Sequence, residues 1–285
     1  MYCNNNKSKQ TIIRDKFNGM SYTDVLNKAN FTYLGGCKNS TKELLSLKNG
    51  CLTYMLYLAP SNLSGYQVCP NDKYCKDLCL NGSGQNKMQI ISKGIYESPI
   101  NQARIKKTKL FYENREMFMY LLIHEIKRYR NTANKLGISF AVRLNGTSDL
   151  SPELFRFNGE NILKIFPDIQ FYDYTKVVPR LKLVEAYKNY DLTFSYNGHN
   201  WNDCETYLNN NGKISVVFEN RIPKYYRGYK VNDANGYDMR FLDNKGEICG
   251  LKLHKVGSQY DKYGHYLGIG DTNFIVKDND VNCIY

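Results

Sequence analysis

The chain has 285 residues, with 39 Lys and Arg against 27 Asp and Glu, and so a formal charge of +12. That length can bury a large core in one α/β domain of barrel size or in two smaller ones, and the charge favours polyanionic partners, nucleic acid or a nucleotide before acidic lipid. No apolar run approaches the roughly 18 to 20 residues needed to span a bilayer, so no membrane contact is expected.

Residues 1–20 are polar and rich in Asn and Lys, which predicts a loosely docked arm. Tyr22 to Asn30 reads as a short helix with Ser21 or Thr23 at its start. Gly35-Gly36 predicts a turn, Thr41-Lys-Glu-Leu-Leu a brief helical stretch, and Asn49-Gly50 a tight reversal. Strand character begins at 51–58 and breaks at Pro60. A polar loop with Cys69, Cys75 and Cys79 follows, and Gly82 and Gly84 after it allow a bend or the close approach of a ligand.

Thr108 to Leu136 has the clearest helical period, with Phe118, Leu121, Leu122, Ile126 and Tyr129 on one face and Gly137 at the end. Beyond it strands and helices alternate. Strands are expected at Ile138–Leu144, Ile169–Asp173, Asp191–Ser195 and Lys213–Phe218. Helices are expected from Ser151-Pro-Glu, at Leu181–Tyr187 and at Asn202–Leu208. With the strand at 51–58, this predicts at least five parallel strands built from βαβ units. From about Tyr225 the helices stop, and short strands are expected at 239–242, 248–253 and 274–276.

The fold class is therefore α/β: a partial (β/α) barrel, or a parallel sheet with a β-rich C-terminal extension. Residues 1–45 form an arm with short helices, 46–224 an α/β core that carries the cysteine loop, and 225–285 the extension packed on it. No internal repeat or low-complexity linker calls for a further division.

In parallel sheets, ligands gather at the carboxyl ends of the strands, and the polar residues of this chain stand at those ends. Arg143, Asn145, Ser148 and Asp149 follow the second strand, Asp173 and Lys176 the third, and Ser195 closes the fourth. Arg143 could hold an anion by its fork. Asn145, Ser148, Asp149 and Ser195 are candidate cofactor or substrate ligands, and Asp173 with Lys176 is a candidate catalytic charged pair.

The cysteines carry the more specific signal. Of the nine, Cys3, Cys37, Cys51, Cys204, Cys249 and Cys283 are scattered, and the polar start MYCNNNKSKQ lacks a secretory leader, so a reducing, cytoplasmic setting is expected. Cys69, Cys75 and Cys79 lie within eleven residues on one loop after a buried strand, where they can surround one metal centre. Zinc would need a fourth ligand, and no cysteine or histidine stands at a usual spacing for it. A [4Fe–4S] cluster can be held by three cysteines with one iron left open, and fits better. Metal-free thiols are the remaining reading.

Three cysteines after the first strand of a partial barrel resemble the layout of the radical S-adenosylmethionine enzymes, which would imply S-adenosylmethionine bound over the open iron. The spacing here is C-x5-C-x3-C in place of C-x3-C-x2-C, Leu78 precedes the third cysteine where an aromatic is usual, and Asn145-Gly-Thr-Ser-Asp149 stands in place of a Gly-Gly-Glu stretch. A second resemblance rests on Leu58-Ala-Pro60, Cys69-Pro70, Cys75, Cys79-Leu80, Ala103-Arg104, Lys107-Thr108, the block Val142-Arg143-Leu-Asn-Gly-Thr-Ser-Asp149, the block Phe171-Tyr-Asp-Tyr-Thr-Lys176, Leu192-Thr-Phe-Ser195 and Val216-Val-Phe218. In this order they resemble the bacteriophage gene product 88 family over roughly residues 45 to 255. That implies a phage origin and a host-cytoplasmic setting, and supplies no reaction.

Two functions follow as expectations: an iron–sulfur enzyme of radical S-adenosylmethionine-like architecture acting on a nucleotide or nucleic-acid substrate, or a non-catalytic, zinc-stabilised nucleic-acid-binding protein.

Overall fold

The computed structural model describes residues 19–261, 264–268, 270 and 272–285. Apart from Gly19 and Met20, the expected N-terminal arm lies outside the described residues. Ser21 caps α1 (Tyr22–Ala29) and Ser40 caps α2 (Thr41–Lys48), each through a reciprocal box in which the acid three residues on, Asp24 or Glu43, returns a bond to the cap amide. Between them β1 (Gly35–Gly36) pairs antiparallel with β2 (Cys51–Leu56). The expected turn at Gly35-Gly36 is thus a short edge strand, and glycine is needed there because a Cβ on Gly35 would run into the Tyr54 hydroxyl and the Met55 carbonyl.

The cysteine loop follows β2 and leads into α3 (Gln85–Lys93), entered through Gly84 at φ +58°. The single long helix expected over 108–136 is two: α4 (Pro99–Glu113) and α5 (Arg115–Leu136). Asn114 separates them in a non-helical conformation, φ −143° and ψ 69°, its side chain accepting from the Met117 amide, because a short polar side chain offers the backbone an alternative partner. Gly137 closes α5 as expected.

The strands β3 (Ser139–Arg143), β6 (Gln170–Thr175), β7 (Tyr190–Ser195) and β8 (Lys213–Phe218) stand where the sequence places them. Between β3 and β6 the expected helix from Ser151 shrinks to a 3₁₀ turn at Pro152–Leu154. It is followed by a hairpin of β4 (Arg156–Phe157) and β5 (Glu160–Asn161) and by one turn of helix, α6 (Ile162–Ile165). Asn158 and Gly159, both at positive φ, make the two-residue reversal that an Asn-Gly pair favours. α7 (Leu183–Ala186) is shorter than expected, since Pro179 confines 178–182 to a 3₁₀ turn, and α8 (Trp201–Asn209) precedes β8.

The C-terminal part extends this same sheet through β9 (Tyr225–Tyr226), β10 (Tyr229–Asp233), β11 (Ile248–Lys252), β12 (Ile275–Val276) and β13 (Cys283–Ile284). Residues 240–242, expected as strand, form a 3₁₀ turn instead. In space β2, β3, β6, β7, β8, β11 and β10 follow one another, each parallel to the next, with β1 antiparallel at one end and β9 and β13 antiparallel at the other. The path has two free ends and does not close on itself. Among the described residues no helix is long and apolar enough to cross a membrane.

Strand alternation divides the sheet into two unlike faces. Leu52, Tyr54, Leu56, Val142, Phe171, Leu192, Phe194, Ile214, Val216 and Phe218 point to one face, where α5 and α8 cover them. Cys51, Thr53, Ala141, Arg143, Tyr172, Tyr174, Asp191, Thr193, Ser195, Lys213 and Ser215 alternate with them. Tyr237, Met239 and Phe241 pack against part of this second face.

On the helical face, Glu125 of α5 is fully buried and joins four segments. One carboxylate oxygen accepts from the Tyr22 hydroxyl at 2.7 Å and the Leu34 amide at 2.8 Å. The other accepts from the Gly35 amide at 2.9 Å and the Tyr54 hydroxyl at 2.6 Å. Bonds to a buried charge contribute roughly 1.5–3 kcal/mol each. Glu125→Gln, which keeps shape and loses charge, is expected to lower stability by about 2 kcal/mol in urea unfolding, and Glu125→Ala by more.

Candidate functional site

The loop from Pro60 to Gly82 lies across the carboxyl ends of β2, β3 and β6 and is tied down at each. The Gly146 amide donates to the Leu56 carbonyl at 2.9 Å and the Asp149 amide to the Val68 carbonyl at 2.8 Å. The Thr147 hydroxyl donates to the Leu58 carbonyl at 2.5 Å, and Asn71 donates to the Lys176 carbonyl at 2.7 Å. Leu78 anchors the far side of the loop in a small apolar cluster with Val217, Val256, Phe274 and Ile275.

The 145–149 block is held from below. Asp173, 1% exposed, accepts from the Asn145 amide at 2.8 Å, from Asn145 Nδ2 at 2.9 Å and from the Tyr190 hydroxyl at 3.0 Å, and lies 3.8 Å from Arg180. Asn145 Oδ1 accepts from the Ser148 hydroxyl and the Leu150 amide, both at 2.8 Å. Asp149 pairs with Arg180 and accepts from the Lys176 amide at 2.8 Å. Burial pushes the Asp173 carboxyl above its ordinary range despite Arg180 and the Asn145 bonds.

Asn145, Ser148, Asp149 and Asp173 thus come together, as the sequence suggested, with their polar atoms engaged inside the protein. The arrangement fixes the rim on which the cysteine loop rests. Arg180 and Tyr190 belong to the same buried network. Asp173→Asn puts an NH2 against donors it cannot accept from, and is expected to cost at least about 2 kcal/mol by denaturant titration.

Cys69, Cys75 and Cys79 are free and half-buried. Burial raises the Cys69 thiol to about 12 against the Ser61 amide that it accepts from, and raises the Cys79 thiol as well. The three thiols influence one another electrostatically, and Lys176 lies among them. Burial works to lower its ammonium, but Cys75, Asp149, Cys69 and Cys79 hold it above the ordinary lysine range. Arg104 of α4, which donates to Asn81 and lies 5.1 Å over the Tyr57 ring, is a second cation near Cys79. Tyr74, beside Cys75, stacks on His199 at 4.0 Å.

Among the described residues no three His, Cys, Asp or Glu side chains converge as the ligands of one metal ion. Among the described residues no fourth Cys or His completes the closed four-ligand shell of a structural zinc around these sulfurs.

Arg143 and Ser195 lie on the second face of the sheet. Arg143 pairs with Asp238 at 2.7 Å and lies 4.7 Å over the Tyr174 ring. The Asp238 carboxyl is buried, which alone would raise it, but Arg143 and Lys42 hold it below its ordinary range. Ser195 accepts from the Ser215 hydroxyl at 3.1 Å. Lys213 is bound to Asp191 at 2.7 Å, and Arg240 to Asp243 at 3.0 Å. This polar layer was missed from the sequence except at Arg143 and Ser195, although its signal was present in the alternating polar positions of the strands.

An open groove of about 530 Å³ lies elsewhere, between Asn30–Tyr33 and α4. Lys106 and Lys107 cover its Phe31 and Tyr33 rings at 4.9 Å each, and no carboxylate or cysteine lines it. The groove is basic surface.

Glu43 of α2 is fully buried, and burial outweighs its bonds from Ser40 and Asn39 to push the carboxyl up to about 7. Its folded-state proton is therefore held past the unfolded value near 4.5. The associated stability is complete below that value and is lost as pH rises through about 7. Glu43→Gln should remove this loss, so wild type should fall relative to the variant by about 2 kcal/mol between pH 5 and pH 8 in urea titrations.

No curated protein and no solved structure matches the chain. A family model, Gene product 88, matches residues 29–266, which contain the cysteine loop, the rim network and the polar face of the sheet. The chain belongs to the gene product 88 family.

Proposed function

We propose that this protein is an enzyme that carries an iron–sulfur cluster of the [4Fe–4S] type on Cys69, Cys75 and Cys79, at the mouth of a partial barrel formed by the parallel strands. The observation that carries the reading is the position of three unpaired thiols on one firmly anchored loop. The loop lies over the carboxyl ends of sequentially ordered parallel strands and beside two cations. Parallel strands in sequential order are how a (β/α) barrel begins, and in such barrels the site lies at the carboxyl ends of the strands.

The cluster, when bound, would supply one electron to a substrate or to S-adenosylmethionine. The chain's own residues have separable roles. Lys176 and Arg104 offset the negative charge of the thiolates. Asn145, Ser148, Asp149 and Asp173 hold the loop at a fixed height, and are positioning residues in this reading. Arg143 and Ser195 face the substrate side, and the +12 surface draws a nucleotide or nucleic-acid substrate toward it.

Purification without oxygen, followed by iron, sulfide and zinc analysis and an absorption spectrum, tests the reading. The expected result is a brown protein with about four irons and a broad band near 400 nm, as thiolate-held clusters give. Cys75→Ala should lose iron and colour while keeping its circular dichroism. A colourless protein with one zinc per chain, or iron retained in Cys75→Ala, contradicts the proposal.

A further inference from the structure

The second face of the sheet carries buried donors that nothing among the described residues accepts from. Arg143 Nε, the Tyr174 hydroxyl, the Thr193 hydroxyl and Arg240 Nε each have no hydrogen-bond partner, and the Thr53 hydroxyl, further along β2, has none either. Thr53, Thr193 and Arg240 are at most 2% exposed. These donors form one neighbourhood. Tyr174 stands opposite Thr193 in the β6–β7 ladder, Arg143 lies over the Tyr174 ring, and Arg240 is close enough to act on the Tyr174 hydroxyl.

The carboxylates of this layer are already committed. Asp238 serves Arg143 and the Tyr172 hydroxyl, Asp243 serves Arg240 and the Cys249 thiol, and Asp191 serves Lys213. Lys42 is a further cation, 4.0 Å from the already paired Asp238. An unmade bond to a buried donor is destabilising, so several in one layer mark a place where a partner is missing. That partner must bring acceptor oxygens and negative charge.

We propose that Arg143, Tyr174, Thr193 and Arg240 form a binding site for an oxyanion group, a carboxylate or a phosphate, of a small-molecule ligand. Arg143 lies over the Tyr174 ring and Tyr174 stands opposite Thr193, so their orphaned donors are neighbours, and the Asp238 and Asp243 pairs fix the guanidinium orientations. None of these atoms comes from the cysteine loop. The site therefore stands on its own whether or not a cluster forms, and its failure is distinguishable from failure of the iron–sulfur reading.

The test uses the full chain purified without added iron, titrated with inorganic phosphate and with citrate against chloride at matched ionic strength, by calorimetry and thermal unfolding. The expected result is saturable binding of one of the two probes. Phosphate alone assigns a phosphoryl ligand, and citrate alone a carboxylate. Thr193→Val and Tyr174→Phe keep shape and remove one orphaned donor each. They should melt a few degrees higher than wild type without ligand and bind the active probe about tenfold more weakly. No saturable binding of either probe, or binding unchanged in both variants, overturns the proposal.

Discussion

The carboxylate of Asp173 is buried on the helical face of the sheet and draws together groups that are far apart in the chain. Asn145 comes from the turn after β3, Tyr190 from the start of β7 and Arg180 from the segment between β6 and α7. Arg180 then carries the tie on to Asp149. A parallel sheet by itself fixes strand order and leaves its loops free. Here an ionic and hydrogen-bonded network under the rim fixes the loop geometry as well, and the cysteine loop rests on that rim through Thr147, Asp149 and Lys176.

The two faces of the sheet follow different physical rules. On one, apolar side chains meet α5 and α8, and the buried carboxyl groups are well partnered, each Glu125 oxygen accepting from two donors. On the other, Arg143, Lys213 and Arg240 are paired one to one with acids, and several donors remain without acceptors. Strands buried on both faces usually read as continuous apolar runs. The polar second face departs from that pattern at a cost in stability, which is where proteins commonly place binding functions.

Much of this was legible beforehand. The parallel strands announced themselves by short β-branched and aromatic runs, and Asn145, Ser148, Asp149 and Asp173 were singled out because polar residues at strand ends are conspicuous. Their role was not legible, because a hydrogen bond from Asn145 to Asp173 joins residues 28 apart. The split at Asn114 escaped because apolar periodicity continues through a single non-helical residue. The Asn158-Gly159 hairpin escaped because its strands are two residues each. Tyr174 and Thr193 escaped because a lone hydroxyl within a strand does not reveal which face of the sheet it lies on. The thiols of Cys69, Cys75 and Cys79 were legible by spacing alone. Lys176 was read as the partner of Asp173, and its place among the thiols follows from the tertiary fold.

The central claim, a cluster on three cysteines with one iron open to a ligand, is tested most directly by electron paramagnetic resonance of the dithionite-reduced, anaerobically prepared protein. The account predicts a signal from a reduced [4Fe–4S] cluster that shifts when a small ligand reaches the open iron and is absent in Cys75→Ala. A protein that binds no iron, or one whose signal is unchanged by loss of Cys75, would contradict it.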